Sequence, residues 1–180
     1  MKRLGLIIIG FIALVLQGCS GMNVEDFKGQ NPKLVLEEYF LGETYAYGLF
    51  QDRFGNVKRQ FKVDIQGSFE DGVLTLVEDF HYQDGEEDQR IWKITPEADG
   101  RYTGTAADII GEAEGRIRGN ALNWKYTMNL PVGDSHYKVN FDDWMFLQND
   151  GVMINKATVT KWGFRVGEVI LFFSKTPQAQ

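Results

Sequence analysis

From Tyr45 to Ser174 the chain is written in short runs of alternating apolar and polar residues, separated by turn dipeptides. That period of two is the feature that most limits the folds open to it, because successive strand residues point to opposite faces of a sheet. Val57, Arg59, Phe61, Val63 and Ile65 share a face, with Lys58, Gln60, Lys62, Asp64 and Gln66 on the other. Leu74, Leu76, Glu78, Phe80 and Tyr82 follow, then the turn signal Asp84-Gly85, then Arg90, Trp92 and Ile94. Asp99-Gly100, Gly119-Asn120 and Asp150-Gly151 punctuate the rest, around the apolar faces Leu122-Trp124-Tyr126-Met128 and Tyr137-Val139-Phe141-Met145-Leu147. The pattern predicts roughly nine or ten short strands joined by hairpins and no long helix, an antiparallel all-β domain. Sequential hairpins favour an up-and-down barrel over a sandwich, since closure removes the exposed sheet edges.

Phe40-Leu41-Gly42 followed by Tyr45 and Tyr47 resembles the first strand of lipocalins without its tryptophan, and the resemblance implies a lipocalin/calycin-like barrel. The N-terminus reads differently. Lys2 and Arg3 precede Leu4 to Leu16, thirteen uncharged apolar residues, the length of a signal-peptide core and too short to span a bilayer core of about 30 Å. Leu16-Gln17-Gly18-Cys19 resembles the lipobox of bacterial lipoproteins, although Gln17 is less usual there than Ala or Ser. The resemblance implies that Cys19 becomes an acylated mature N-terminus, and Ser20 after it resembles the signal for passage to the outer membrane. The implied address is the cell envelope, lipid-anchored in the inner leaflet of the outer membrane and facing the periplasm. A cleaved secretory signal with an incidental cysteine, or an uncleaved anchor, is the competing reading. The expected organisation is a signal peptide over 1–18, a lipidated N-terminus and tether over 19–33, one barrel domain over 34–176 and a disordered tail over 177–180.

The 162 residues after the signal suit one domain. Lys2 and Arg3 are its only charges, which leaves 17 basic against 25 acidic residues, a net charge of −8. Such a surface repels phosphate backbones and argues against a nucleic-acid partner. Cys19 is the single cysteine, so its acylation would leave no thiol for a disulfide or a sulfur metal site. No Gly-x-Ser-x-Gly, His-Glu-x-x-His, phosphate loop or Cys-x-x-Cys is present, and neither a cofactor nor a metal site is read from the sequence. His81 and His136 read as surface residues, and the acidic run 84–88 as a solvated hairpin tip.

Alternation assigns the acids. Asp142 and Asp143 must point to opposite faces, as must Glu78 and Asp79, so neither pair shares a proton. Glu78 and Asp143 share faces with apolar residues, and Arg90 lies with Trp92 and Ile94. Two acids and one base therefore enter an apolar interior, where unpaired charge costs several kcal/mol. One reading is an internal network of Arg90 with Glu78 and Asp143 that fixes register. The other is a polar floor that orients a lipid-like ligand, with Trp92, Trp124 and Phe141 as walls.

Gln51-Asp52-Arg53, Glu78-Asp79-Phe80, Gly119-Asn120-Ala121, Asp142-Asp143-Trp144-Met145 and Gly163-Phe164-Arg165-Val166-Gly167-Glu168 together resemble the proteobacterial lipoproteins filed as domain of unknown function 3833. The resemblance covers nearly the whole mature chain and brings no catalytic residue. The ligand-binding candidates are thus Glu78, Arg90, Asp143 and the three wall aromatics, with Arg53 added from the family stretch. The expected role is a lipid-anchored envelope protein, its membrane contact made through the N-terminal lipid, that binds or shields a small apolar ligand. The alternatives are an envelope scaffold with a filled barrel that meets a partner through Trp144 and Trp162, and a lipid-modifying enzyme using Glu78, Asp143 or His81 as acid or base.

Overall fold

A computed structural model describes residues 21–133 and 135–177; the apolar N-terminal run, Cys19 and residues 178–180 lie outside them. The alternating runs form ten strands: β1 (Gly42–Asp52), β2 (Val57–Glu70), β3 (Val73–Tyr82), β4 (Glu87–Pro96), β5 (Arg101–Thr105), β6 (Ala113–Arg118), β7 (Ala121–Val132), β8 (Ser135–Leu147), β9 (Met153–Lys161) and β10 (Phe164–Ser174). Each pairs antiparallel with its neighbours in sequence, and β1 pairs with β10 to close the barrel. This is the all-β up-and-down barrel that the period of two predicts. Ten strands exceed the eight of a lipocalin barrel, and barrel diameter grows with strand number, so the interior is wider than side chains alone need to fill.

The turns follow local chemistry. Asp71-Gly72 joins β2 to β3 with both residues at positive φ, 50° and 79°, the two-residue turn whose twist matches that of the strands it joins. The turns after β2, β4, β6 and β8 gather at one end of the barrel and those after β1, β3, β5, β7 and β9 at the other.

The first end is stoppered. Leu34 to Phe40, which fits neither period cleanly in the sequence, forms a one-turn helix, α1 (Leu36–Tyr39), lying across it. Leu34, Leu36 and Phe40 are buried, and Phe40 meets Phe173 edge-on at 5.8 Å. Burying each such side chain is worth about 1.5–3 kcal/mol. The Tyr39 hydroxyl donates to the Gly151 carbonyl at 3.0 Å and the Tyr102 hydroxyl to Glu37 at 2.9 Å, tying α1 to the strands around it.

The tether expected over 19–33 is shorter than the sequence suggests. Asn23 and Asp26 form a reciprocal capping box on a 3-10 turn, Val24–Phe27, which satisfies amides that would otherwise favour solvent. The Phe27 ring then packs on the outer wall, 5.3 Å from Phe146 and 6.1 Å from Trp144. Arg118 pairs with Glu25 at 3.0 Å and Asp99 at 2.9 Å. At Gly119 a Cβ would lie 2.0 Å from the Phe27 carbonyl oxygen, so glycine is what lets the segment approach. One aromatic ring and one glycine therefore dock a stretch whose polar composition reads as free chain.

One part of the wall is not a regular ladder. β4 pairs with β5 only through Lys93–Pro96. Beyond it the β5–β6 loop (106–112) lies along β7 instead, through the Ile109–Met128 bridge and backbone bonds from Ile110 to Thr127 and from Asn129 to Asp108.

Candidate functional site

The barrel encloses a cavity of about 600 Å³. Its lining runs from Glu86, Val132 and Gly133 at the open end to Leu36 and Phe40 at the stoppered end. Aromatic rings form much of one side. Trp92 meets Trp124 edge-on at 5.8 Å and Tyr126 at 5.5 Å, and Tyr126 stacks on Phe141 at 4.8 Å. Trp124 can lie flat against the wall because Gly104 and Gly115 stand behind it; a Cβ at Gly115 would be 2.2 Å from the indole.

A small polar cluster interrupts this surface. Glu78 and Arg90 are register partners on β3 and β4, with Arg90 Nη1 3.8 Å from the Glu78 carboxylate. Arg90 turns its better contacts to Asp108, at 2.8 Å from Nη2 and 3.0 Å from Nε, across the irregular part of the wall. Asp143, only 4 % exposed, accepts a hydrogen bond from the Asn155 amide at 3.1 Å and another from the Tyr126 hydroxyl. The same Asn155 amide nitrogen donates to the Trp144 carbonyl at 3.2 Å. The Asn155 side-chain oxygen, in a residue 1 % exposed, has no hydrogen-bond partner among the described residues.

Desolvation dominates the electrostatics. Burial pushes the Glu78 carboxyl up to about 7 against the pull of Arg90, with Asp108 and Asp143 adding to the rise. Burial likewise pushes Asp143 up to about 6, opposed by its bonds from Asn155 and Tyr126. The Tyr126 phenol is driven well above its ordinary value, first by burial and then by Asp143. Arg90 loses hydration too, but Glu78 and Asp108 outweigh that loss and raise its pKa. Two carboxyls that change charge near neutrality thus share a largely apolar chamber with the Arg90 guanidinium.

The structure brings Glu78, Arg90, Trp92, Trp124, Phe141 and Asp143 together in the cavity lining. Arg53 is the exception. It lies on the β1–β2 turn, exposed, with its guanidinium 4.6 Å over the Phe54 ring, because alternation stops at a turn and no longer directs a side chain inward. Neighbouring acids part as expected: Asp142 faces outward to Lys125 at 3.3 Å while Asp143 is buried. His81 is on the outer face with Asp64 and Glu87 at 3.2 and 3.4 Å, away from the chamber. The Arg90–Glu78 half of the expected network is present, but its main anion is Asp108. That residue follows the end of β5, where no periodicity assigns a face. Asn155 was findable, being in step with Met153, Ala157 and Val159 on β9.

A family model described as a protein of unknown function, DUF3833, matches residues 13–175. The chain belongs to that family. DUF3833 membership brings no reaction with it, and no curated protein matches the chain. Among the described residues no group of three or more His, Cys, Asp or Glu is placed to hold a metal ion.

Proposed function

We propose that this DUF3833 protein binds a small, largely apolar ligand, lipid-like in character, inside its barrel, and that it does so tethered to the cell envelope through an acylated Cys19. The observation that carries the binding reading is the chamber of about 600 Å³, lined by aromatic and aliphatic side chains around a few converging polar groups, the composition expected of a small-molecule site. Native mass spectrometry of the purified barrel tests it. A bound species of lipid mass, or uptake of added phospholipid or fatty compound, is expected; a ligand-free protein that takes up neither overturns it. The anchor is tested separately by Cys19→Ala, which should stay unprocessed and lose labelling by radioactive palmitate.

A second reading, a barrel that meets a protein partner through its open end, draws support from Trp162. This residue occupies the two-residue β9–β10 turn at φ 52° and is 84 % exposed. A bulky residue in the left-handed region is strained where Asn or Asp would be at ease, so its presence serves something other than the turn. Phe54 and Phe164, each 74 % exposed, lie at the same end on adjoining hairpins. In-cell crosslinking through position 162 distinguishes this reading by yielding one stoichiometric partner. Trp144, the other aromatic expected to be available, is half-buried beneath Phe27.

A further inference from the structure

We propose that the chamber selects a long-chain molecule whose polar head donates hydrogen bonds and carries no negative charge, such as an alcohol, a glyceride hydroxyl or an amine, over a free fatty acid of the same length. This rests on the ligand-binding reading and names the head group that the site takes.

At the polar cluster the unpartnered buried atom is an acceptor; Arg59, in the lining at the open end, keeps a buried Nε without a partner among the described residues while its Nη2 is held by Glu86 and Asp84. The Asn155 side-chain oxygen is buried and unpartnered, in the lining of the cavity. A buried acceptor without a donor is costly, so this atom, which has almost no exposed surface of its own, favours a hydroxyl or amine once the Asn155 side chain turns slightly toward the cavity. Glu78 offers a second acceptor: its ion-pair partner stands 3.8 Å off, beyond hydrogen-bonding range. Most donors at the cluster, by contrast, are committed. Tyr126 and the Asn155 amide are spent on Asp143. Arg90 directs Nε and Nη2 to Asp108 and leaves Nη1, 3.8 Å from Glu78, as a free donor between the acids.

Charge points the same way. Glu78 and Asp108 flank the Arg90 guanidinium, and Asp143 stands in the same lining. A carboxylate head would add a further acid beside that cation and could reach it only at Nη1, next to Glu78. An alcohol adds no charge and an ammonium neutralises some. Apolar lining continues on both sides of the cluster, with Phe80 and Leu130 toward the open end and Leu36 and Leu122 toward the stopper, so an alkyl chain has room while its head stays at the cluster.

The test uses the chain from residue 21 onward, since all ten strands, their closure and α1 lie within 21–177. Dodecan-1-ol, dodecylamine and sodium dodecanoate, each below its micellar concentration, are titrated at pH 7.5 against the fluorescence of Trp92 and Trp124, which line the cavity. The alcohol and the amine are expected to bind at least tenfold more tightly than dodecanoate. Glu78→Gln should narrow the gap, weakening the amine and strengthening dodecanoate, and Asp143→Asn should shift it in the same direction. Dodecanoate binding as tightly as the alcohol in the unmodified protein overturns the proposal while leaving the ligand-binding reading intact. Failure of all three probes overturns both.

Discussion

Arg90 grips Asp108 at 2.8 and 3.0 Å across the part of the wall where β4 has left its ladder with β5. The pair therefore laces a strand to a loop. Asp108→Asn keeps the shape but removes the charge, and is expected to destabilise the loop by about 1–2 kcal/mol, less than a fully buried pair because Asp108 keeps 32 % of its side-chain surface. The readout is amide hydrogen exchange, which should quicken at Ile110 and Asn129, whose amides hold the loop to β7. Exchange that quickens equally throughout the barrel would refute a local lacing role.

Glu78 and Asp143 make stability depend on pH in a definite direction. Both carboxyls are raised in the folded state, to about 7 and about 6. The folded chain therefore holds more protons than the unfolded chain between roughly pH 4 and 7. Stability is greatest below the unfolded values and falls as pH rises through that window. Glu78→Gln should remove much of the slope, gaining about 1–3 kcal/mol over the unmodified protein at pH 8 and almost nothing at pH 4. Urea midpoints at the two pH values decide it; equal gains at both would mean that the charge is not the cause.

Trp124 depends on two missing side chains. Gly115→Ala would place a methyl group 2.2 Å from its indole, with Gly104 behind another part of the same ring. The ring must shift into the cavity, at a cost of about 1–3 kcal/mol for an overpacked core. A lower urea midpoint together with an altered tryptophan emission spectrum is the expected result. An unchanged spectrum would show that the strand moves and the ring does not.

Trp162→Asn separates folding from contact. Asn-Gly is well suited to a two-residue turn with both residues at positive φ, so the substitution should stabilise the barrel by about 0.5–1 kcal/mol. Crosslinking through the open end should fall at the same time if Trp162 meets a partner. A thermal melt and a crosslinking yield measured on the same variant provide both answers.

What the sequence disclosed is what a period of two can carry. Alternation assigns Glu78, Asp143 and the faces of Trp92 and Trp124 correctly, since each lies within a regular ladder. It separates Asp142 from Asp143 for the same reason. Where the ladder ends it assigns nothing: Arg53 is on a turn, Asp108 on a loop, and neither has a face to inherit. The docking of residues 23–33 leaves a fainter trace, the Asn23-to-Asp26 spacing of a capping box, but the grip of Phe27 on Phe146 joins segments more than a hundred residues apart. No local pattern encodes such a contact.

The place where the chain joins the barrel governs which way the chamber looks. Glu25 and Phe27 are pinned beside the turn that follows β6, at the end that α1 plugs. On the proposed acylation, Cys19 would be four residues before Asn23, a leash of about 13 Å at ~3.3 Å per residue. A cylinder so anchored by its blind end would stand upright on the bilayer with its opening turned outward. Cargo would then arrive from the aqueous side, handed over by a visitor, instead of sliding up from the lipid beneath.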